Sequence, residues 1–294
     1  MRICVITDSA SSYASKRFLA ESLLLNIDLT FVSWKDIFFN GESGDVFFDT
    51  DSQISIKKFD AVVLRSSLAS ITPQSLLVEY CQSQKIPLLN DIFYSRYQST
   101  NKLRQQMLFS SKNIPCLKTI YSETAPFSYL KKSLGLPFVA KMASGSLGKQ
   151  VFKICSESEF ELFIKNRKRD RKLYIFQKFY KNTGDYRMFI IGKEIFGPVK
   201  RIAKKGEWIT NLAGSTHARA PKNKKTTTLV EDLAKKIGLE FGGIDVLIDS
   251  KGVARIIEIN TMAQFKVFES VFPEINIAQK TLLLLKSRLR ASGK

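Results

Sequence analysis

The first 94 residues alternate short apolar runs with longer amphipathic stretches, and this alternation limits the fold more than any other feature. The apolar runs with strand character include RICVIT at 2–7 and FDAVVLRSS at 59–67. The stretches with helical character include ASKRFLAESLLL at 14–25 and SLLVEYCQSQK at 75–85. Alternating strands and helices are typical of a parallel sheet with crossover helices. We therefore predict a small α/β domain over residues 1–94.

Two further elements are expected where this first domain ends. IPLLND at 86–91 has the apolar character of a strand. The stretch at 99–113 is amphipathic, and Ser99 or Thr100 is suited to cap the N-terminus of a helix there. We predict a strand followed by a capped helix.

From about residue 134 the pattern changes to strand-like segments joined by short turns. LPFVAKM at 136–142 and QVFKI at 150–154 flank a loop of small residues. DYRMFIIG at 185–192 is followed by a second β-rich run, and the Gly192-Lys193 dipeptide between them is typical of a hairpin turn. We predict antiparallel sheets in this part of the chain.

The chain is strongly basic, with a formal net charge of +19. This charge predicts attraction to an anion, which leaves nucleic acid, anionic lipid, a nucleotide and an acidic peptide as alternatives. Two local runs, KNRKRDRK at 165–172 and PKNKK at 221–225, are also compatible with solvated loops. No apolar run reaches the ~20 residues that a membrane span needs, and the first apolar run is too short for a signal peptide. We expect a cytoplasmic protein without a membrane partner.

The single histidine and the four cysteines limit the kinds of metal site and catalytic site that the chain can form. The four cysteines lie at least 35 residues apart, so a disulfide framework or a zinc site is not expected. His217 is the only histidine, which argues against a histidine-based triad or a multi-histidine metal site. A bound metal would therefore be held by oxygen atoms, which suits Mg²⁺.

A predicted hairpin near the C-terminus places such oxygen atoms together. If Ser250 and Lys251 form its turn, Asp245 lies opposite Ile256, and Glu258 is its diagonal neighbour. The following residue on that face, Asn260, adds an amide oxygen. The hairpin alone is compatible with a magnesium site or with a half-buried strand whose polar face meets solvent.

The loop ASGSLGK at 143–149 is a candidate anion site. Its small residues Gly145, Ser146 and Gly148 let backbone N–H groups approach phosphate oxygens, although a flexible connection between strands is the plain alternative. Lys141 precedes the loop in an apolar run and supplies a point charge suited to phosphate.

Two further constellations are weaker when taken alone. Gln177 to Phe179, with Lys178 between them, could form a hinge whose backbone faces a planar ring. Asp185 and Arg187 follow at alternate positions of the next strand. A second pair, Arg201 and Asn211, brackets a glycine-containing loop and suits a transferred phosphoryl group, although a solvated hairpin is the alternative.

The order and spacing of these motifs resemble the ATP-grasp superfamily, and are most similar to its RimK-like carboxylate–amine ligases. The resemblance covers about 60–294 closely and the first 60 residues more loosely. The six motifs that carry it are NKL at 101–103, PFVAK…GSLGKQV at 137–151, QKF…GDYR at 177–187, VKRIAKKGEWITNLAGS at 199–215, GGIDV at 242–246 and EIN at 258–260.

The resemblance implies an α/β and α+β architecture, in which a small Rossmann-like parallel-sheet domain precedes an ATP-grasp fold. It implies a pre-ATP-grasp domain over 1–94 and an ATP-grasp domain over 95–294. The latter would divide into subdomains of about 95–176 and 177–294, with ATP clamped between them.

The resemblance also implies roles for individual residues. The expected nucleotide contacts are Lys102, Lys141, the loop residues Gly145, Ser146 and Gly148, the hinge residues Gln177, Lys178 and Phe179, and Asp185 with Arg187. The expected ligands of two Mg²⁺ ions, with Mn²⁺ as an alternative, are Asp245, Glu258 and Asn260. Arg201 and Asn211 would lie near the phosphates and an acyl phosphate.

The implied reaction uses ATP to activate a carboxylate as an acyl phosphate, from which an amine displaces phosphate to form an amide. The expected substrates are an acidic peptide, a protein tail or an amino acid, and a homo-oligomer is compatible with the sequence. The chain departs from the family in two places. Lys178 replaces the glutamate of many hinges, and NTMAQFKVFE at 260–269 replaces the Asn-x-Ser-Pro-Gly of glutamate ligases.

The second departure leaves an alternative within the family. A glutamine and an aromatic residue after Asn260 are similar to ligases that cross-link ribosomal peptides, which favours a macrocyclase forming side-chain lactams or esters. A third hypothesis is a basic nucleic-acid-binding protein without catalysis. It is disfavoured because the presumed metal ligands and lysines are all present and aromatic residues do not interleave with the basic runs.

Overall fold

A computed structural model describes residues 1–48, 54–65, 71–90, 101–143, 150–167, 173–210 and 214–291, with only the backbone at 71–72. Its strands, in chain order, are β1 Arg2–Thr7, β2 Asp28–Val32, β3 Ile37–Asn40, β4 Asp45–Phe48, β5 Ile54–Ser55, β6 Ala61–Arg65, β7 Thr119–Ile120, β8 Phe138–Met142, β9 Val151–Ile154, β10 Tyr174–Lys178, β11 Asp185–Ile191, β12 Glu194–Ile202, β13 Thr216–Arg219, β14 Phe241–Ile248 and β15 Ala254–Asn260. Its helices are α1 Tyr13–Leu24, α2 Ile71–Ser83, α3 Lys102–Ser111, α4 Phe127–Leu134, α5 Glu157–Asn166, α6 Lys224–Ile237, α7 Lys266–Val271 and α8 Ile277–Ala291. No helix in these ranges is long and apolar enough to cross a membrane.

The predicted parallel sheet is present at the N-terminus, with strand order β2-β1-β6. Its central strand is almost fully buried, as continuous apolar runs in parallel sheets are. The prediction of a strand at 86–91 is wrong for residues 86–90, the part of it that the structure describes. Leu88 makes only an isolated parallel bridge with Val62.

A second small sheet, β3-β4-β5, follows β2 and was not predicted. Its strands are antiparallel, and Phe38 stacks on Phe47 with ring centroids 5.5 Å apart. Because Phe38 and Phe39 are partly exposed at the edge strand, the alternation of buried and exposed residues that identifies a strand is weak here.

The first antiparallel sheet of the later part has the order β7-β10-β8-β9. Helices α4 and α5 cover it, and an aromatic cluster that includes Phe138, Phe160 and Phe176 fills the space between. Its outer strand, β7, pairs with β10 through Thr119 and Ile120.

The second antiparallel sheet has the order β13-β12-β11-β14-β15. The predicted turn at Gly192-Lys193 is confirmed, because Ile191 pairs with Glu194 and Gly192 has a φ of 63°. Helix α6 packs on this sheet and ends at Gly238, whose left-handed conformation favours glycine.

The helix predicted at 99–113 is present as α3, but its N-cap is Asn101 rather than Ser99 or Thr100. The Asn101 side chain accepts hydrogen bonds from the backbone N–H groups of Leu103 and Arg104. An asparagine at this position satisfies two of the N–H groups that a helix start leaves unpaired.

The N-terminal domain packs directly on the large antiparallel sheet. Two hydrophobic clusters combine residues of β1 and β6 with residues of β11 and β14. Asn90 adds three hydrogen bonds to this contact, because its amide binds the backbone of Glu240 and Phe241. The domain boundaries at 94 and 176 remain predictions.

Candidate active site

A cleft lies between the two antiparallel sheets of the later part. Residues of β8 and β10 form one wall, and residues of β11, β12, β14 and β15 form the other. Its lining is Lys102, Leu117, Val139, Lys141, Met142, Val151, Gln177, Lys178, Phe179, Tyr180, Asn182, Asp185, Arg201, Trp208, Ile209, Thr210, Asp245, Leu247, Ile257 and Glu258.

The segment before and including β7 joins the two walls. Cys116 forms a bridge with Ile256 of the large sheet, whereas Thr119 pairs with Gln177 of the small sheet. Leu117 lies between these two attachments and lines the cleft. The two sheets are therefore linked at this position by hydrogen bonds of the main chain.

The strand pair β14–β15 corrects the predicted hairpin register. Asp245 lies directly opposite Glu258, and not opposite Ile256, which pairs with Val246. The register shifts between these pairs because β15 carries one extra residue, Ile257, in a β-bulge. Without that bulge, Asp245 and Glu258 would face opposite sides of the sheet. The predicted proximity of the two carboxylates is present, but a bulge produces it.

Asp245 is buried between two arginines. Arg187 donates two hydrogen bonds to its carboxylate, one of them at 2.8 Å from Nη2, and Arg201 Nη2 lies 2.8 Å from Oδ2. Burial alone would raise the pKa of Asp245, but the two guanidinium groups lower it to about 2. Asp245 is therefore a carboxylate at all ordinary pH values.

Arg201 also binds Asp185, with its Nε 2.5 Å from Oδ1. The Asp185 carboxylate accepts a further hydrogen bond from the Thr210 hydroxyl. Burial raises the pKa of Asp185, and the nearby charge of Asp245 adds to this effect. One arginine thus bridges two buried carboxylates on neighbouring positions of the sheet face.

Lys141 is a buried cation that faces the same region from β8. Burial is the main reason that its pKa falls from 10.5 to about 8, and Lys102 lowers it further, whereas Glu258 and Asp245 raise it. Lys102 Nζ lies 3.8 Å from Glu258 Oε2. The two predicted nucleotide lysines and the predicted metal ligand Glu258 therefore occupy one end of the cleft.

Helix α3 holds the strand on which Glu258 lies. The Gln105 amide donates to the Ile259 carbonyl at 2.9 Å and accepts from the Ile259 N–H at 2.8 Å. Gln106 donates to the Ile257 carbonyl at 2.8 Å. Both glutamines are buried, so the peptide groups on each side of Glu258 are fixed by side chains of the helix that begins with Lys102.

The other end of the cleft is aromatic and apolar. Phe179 lies edge to face with Trp208, their ring centroids 5.8 Å apart, and Lys153 Nζ lies 4.6 Å from the Phe179 ring centre. The Gln177 side chain donates to the Thr119 hydroxyl at 2.7 Å, whereas Lys178 is exposed. Sequence reasoning missed Trp208 because no pattern near it in the chain connects it with the hinge.

Four of the predicted site residues cannot be placed. Gly145, Ser146, Gly148 and Asn211 lie outside the described residues. The remaining predicted residues are brought together at the cleft or on the strands that line it. Asn260 lies on β15 next to the cleft, and its side-chain oxygen accepts a hydrogen bond from the Met262 N–H at 3.0 Å.

The segment after Asn260 connects the site with the N-terminal domain. Buried Arg65, at the end of β6, donates to the Ala263 carbonyl at 3.1 Å. Its guanidinium lies about 5.5 Å from the ring centres of Phe241 and Phe265. Phe265 is fully buried, so the aromatic residue that suggested a cross-linking ligase is part of the core.

The residues of the cleft fit a nucleotide bound with Mg²⁺. A buried lysine needs an anion, and the aromatic end offers a surface to a planar ring. The described residues contain no group of three or more acidic, histidine or cysteine side chains arranged around a metal. Two carboxylates and one amide are nevertheless suitable, because Mg²⁺ takes oxygen ligands and commonly completes its shell with water and phosphate. Glu258, with one ion pair at 3.8 Å, is the least engaged of these carboxylates.

The chain is similar to several known proteins along nearly its whole length. A probable alpha-L-glutamate ligase of Legionella pneumophila (strain Corby) is 23% identical over 99% of this chain and 97% of its own length. The structure of the ATP-grasp ligase PsnB with a phosphomimetic variant of its minimal precursor, Mg and ADP is similar with a TM-score of 0.72, at 15% identity and 97% of each chain. The macrocyclase MdnC of Microcystis aeruginosa MRC, bound with precursor peptide MdnA, is similar with a TM-score of 0.70, at 16% identity over 98% of this chain and all of MdnC.

These structural similarities confirm the predicted ATP-grasp fold. The model of the RimK-like ATP-grasp domain matches residues 99–285, which is more than half of the chain. The match includes both walls of the cleft and the strands that carry Asp245 and Glu258. The protein therefore belongs to the RimK-like ATP-grasp family of ATP-dependent carboxylate–amine ligases.

Proposed function

We propose that this protein binds ATP and Mg²⁺ in the cleft and joins a carboxylate to the amine of an acidic peptide, a protein tail or an amino acid. One observation carries the proposal. A buried lysine, Lys141, lies at the end of the cleft where Lys102, Glu258 and Asp245 also converge. Cations beside oxygen ligands for Mg²⁺ suit a polyphosphate, and the family uses both ATP and Mg²⁺.

The cationic residues of the cleft and its oxygen ligands would bind different parts of the nucleotide complex. Lys102 and Lys141 would bind phosphate oxygens, while Glu258, Asn260 and Asp245 would hold one or two Mg²⁺ ions, or Mn²⁺ in their place. Bound ATP with its metal supplies a phosphoryl group and neutralises the charge on it.

Arg201 binds Asp245, one of the proposed metal ligands, and would face the oxygen atoms of the transferred group. The carboxylate oxygen of the substrate would attack the γ-phosphorus, and the bond from that phosphorus to ADP would break. The amine nitrogen would then attack the acyl carbon of the resulting acyl phosphate. Inorganic phosphate leaves, the amine loses a proton, and an amide remains. The chain needs no protein nucleophile for this sequence of steps.

A macrocyclase is the second candidate. The fold is similar to those of PsnB and MdnC, whose structures contain precursor peptides. Of the two residues that favoured this reading, Phe265 is buried in the core, so Gln264, which is exposed, is the one that can contact a substrate. The probable glutamate ligases that resemble this chain over nearly its full length favour amino-acid addition.

The test is release of ADP in the presence of candidate acceptors. Lys141→Ala and Glu258→Ala should abolish acceptor-dependent ADP release, because each removes a charge next to the phosphates. Lys222→Ala, an exposed site away from the cleft, should leave it unchanged. Unchanged ADP release in both cleft variants would contradict the assignment.

Mass spectrometry of the products distinguishes the two candidates. Addition of an amino acid increases the mass of an acceptor peptide by one residue. Cyclisation of the same peptide decreases its mass by one water molecule for each link. Neither change would be expected if the cleft binds ATP without ligase chemistry.

A further inference from the structure

A second concave surface lies on the outer side of the segment that joins the two sheets. We name it the basic groove and define it by Gln106, Met107, Lys118, Tyr121, Tyr180 and Arg255. Its volume is about 690 Å³. The groove runs between helix α3 and the segment before β7, and most of its lining residues do not line the nucleotide cleft.

The charge of the basic groove has one sign. Lys118 and Arg255 line it, and none of the described residues that line it is acidic. The Arg255 guanidinium carbon lies 4.9 Å from the centre of the Tyr180 ring, and its Nε lies 3.5 Å from Asp249 Oδ2. The groove is therefore suited to carboxylates.

The groove also exposes apolar surface. Met107 is 64% exposed and Tyr121 is 41% exposed, which is high for large apolar side chains. One polar atom beside this surface, Gln106 Oε1, is buried without a hydrogen-bond partner among the described residues. Buried polar atoms are normally paired, so a ligand that offers a backbone N–H group would suit this acceptor after a small movement of the side chains.

The groove is connected with the nucleotide cleft. Leu117 and Tyr180 line both of them. Gln106, in the groove, also holds the Ile257 carbonyl next to Glu258. A ligand in the groove would therefore contact the residues that form the back of the cleft.

We propose that the basic groove docks an acidic peptide segment that also carries apolar side chains, and thereby holds a peptide substrate beside the cleft. The proposal rests on the proposed ligase function and names the docking surface for its peptide substrate. A peptide fits better than single-stranded nucleic acid. Tyr180 is covered by Arg255 and lies 5.7 Å from Lys178 Nζ, which leaves little ring surface for base stacking.

The test uses fluorescence anisotropy with the full chain and no nucleotide. The probe is a labelled ten-residue peptide of eight glutamates and two leucines. The control peptide has glutamine in place of every glutamate. Met107→Asp and Lys118→Glu are the groove variants, because both side chains are exposed and neither lies in the proposed catalytic set. Lys222→Glu makes the same charge change as Lys118→Glu on an exposed loop and serves as the control.

We expect saturable binding of the glutamate peptide, weakened about tenfold or more in each groove variant and unchanged within about twofold in Lys222→Glu. Binding that Lys222→Glu weakens as much as Lys118→Glu would overturn the proposal, since only the net charge would then matter. Tighter binding of a labelled single-stranded RNA than of the peptide, lost in the groove variants, would also overturn it.

The result can be separated from the ligase reaction. Lys141→Ala should retain peptide binding while it loses ADP release. If the peptide fails to bind and ADP release persists with amino-acid acceptors, the groove proposal is wrong and the proposed function stands. If ADP release fails and peptide binding persists in the predicted pattern, the proposed ligase function is wrong and the groove remains a peptide-binding surface.

Discussion

Asp245 and Glu258 face each other across neighbouring strands only because a bulge shifts the register of the second strand. The second strand lies at the edge of its sheet, where an isolated bridge from Cys116 to Ile256 is the main-chain pairing on its outer side among the described residues. Beyond that bridge, Gln105 and Gln106 hold the strand with three hydrogen bonds to its main chain. The position of the predicted metal ligand therefore depends on helix α3.

Gln105→Leu should weaken Mg²⁺-dependent binding of ADP by about tenfold while it affects metal-free ADP less. The substitution leaves the Ile259 N–H and C=O groups unpaired, at a cost of about 1–3 kcal/mol each. Isothermal titration of ADP with and without Mg²⁺ measures the effect. Gln106→Leu removes one hydrogen bond instead of two, so it should have a smaller effect on both stability and Mg²⁺ dependence. Equal losses of ADP affinity with and without Mg²⁺ would show that the strand does not position the ion.

Nucleotide binding should take up a proton above pH 8. Burial lowers the pKa of Lys141 to about 8, and nearby phosphate would raise it again because it favours the charged lysine. Titration of ADP at about pH 8.5 in buffers of different ionisation enthalpy measures the proton uptake, which should be absent in Lys141→Met. The same uptake in Lys141→Met would assign it to another group.

The same pKa shift has a consequence for stability. Between about pH 8 and 10.5 the unfolded chain holds more protons at Lys141 than the folded chain does. The free energy of unfolding therefore gains up to about 1.4 kcal/mol per pH unit from this group as the pH rises through that window. Denaturant unfolding of the nucleotide-free protein should show this slope, and Lys141→Met should remove it.

The sequence predicted that the two strands carrying Asp245 and Glu258 exist, but not the register between them. The apolar alternation around Asp245 and Glu258 identified both strands, because burial of one sheet face is a local property. The bulge could not be read from the same pattern, since Ile256 and Ile257 are the same residue and either could occupy the buried face. Gln105 and Gln106, from a distant part of the chain, hydrogen-bond to the main chain on both sides of Glu258, and such contacts are not visible in a local pattern.

The aromatic end of the cleft shows the same limit. Phe179 was expected at the hinge from its motif, but its partner Trp208 lies in a loop without a periodic pattern. The ion pairs of Arg201 are a further case. Its place beside a glycine-containing loop predicted a position near phosphate, but not that Asp185 and Asp245 would both bind it. Such contacts depend on which strands become neighbours.

Removal of Arg201 should be strongly destabilising. Arg201→Met leaves two buried carboxylates, Asp185 and Asp245, without their shared cation, and breaking a buried pair in this way costs about 3–5 kcal/mol. Adding Asp185→Asn should recover part of that loss, because it removes one of the two charges. Urea unfolding of the two single variants and the double variant measures the coupling.

An exposed ion pair provides the control for the buried ion pairs of Arg201. Arg219 binds Glu274 at 2.8 Å, but about half of each side chain is exposed. Arg219→Met should therefore change the free energy of unfolding by no more than about 1 kcal/mol, although it also uncovers the Phe272 ring. Equal losses for Arg201→Met and Arg219→Met would mean that burial does not determine the contribution of Arg201.

Gly243 should not tolerate a side chain, because it provides the space in which Arg187 reaches Asp245. A Cβ atom at this position would lie 2.7 Å from the Ala263 Cβ and 3.0 Å from the Arg187 Cδ. Gly243→Ala should lower the free energy of unfolding by about 1–3 kcal/mol and weaken ADP binding, since Arg187 and the segment after Asn260 must both move.

Gly41→Ala is the matched control for this substitution, because a Cβ atom there meets nothing within 4 Å. It should leave the free energy of unfolding unchanged or raise it slightly through the lower entropy of the unfolded chain. Denaturant unfolding and ADP titration of both variants make the comparison. The prediction would be contradicted if the Gly243→Ala protein were as stable as the Gly41→Ala protein and bound ADP with normal affinity. Arg187 would then bind Asp245 without the space at Gly243, and the close packing on Ala263 would not be required.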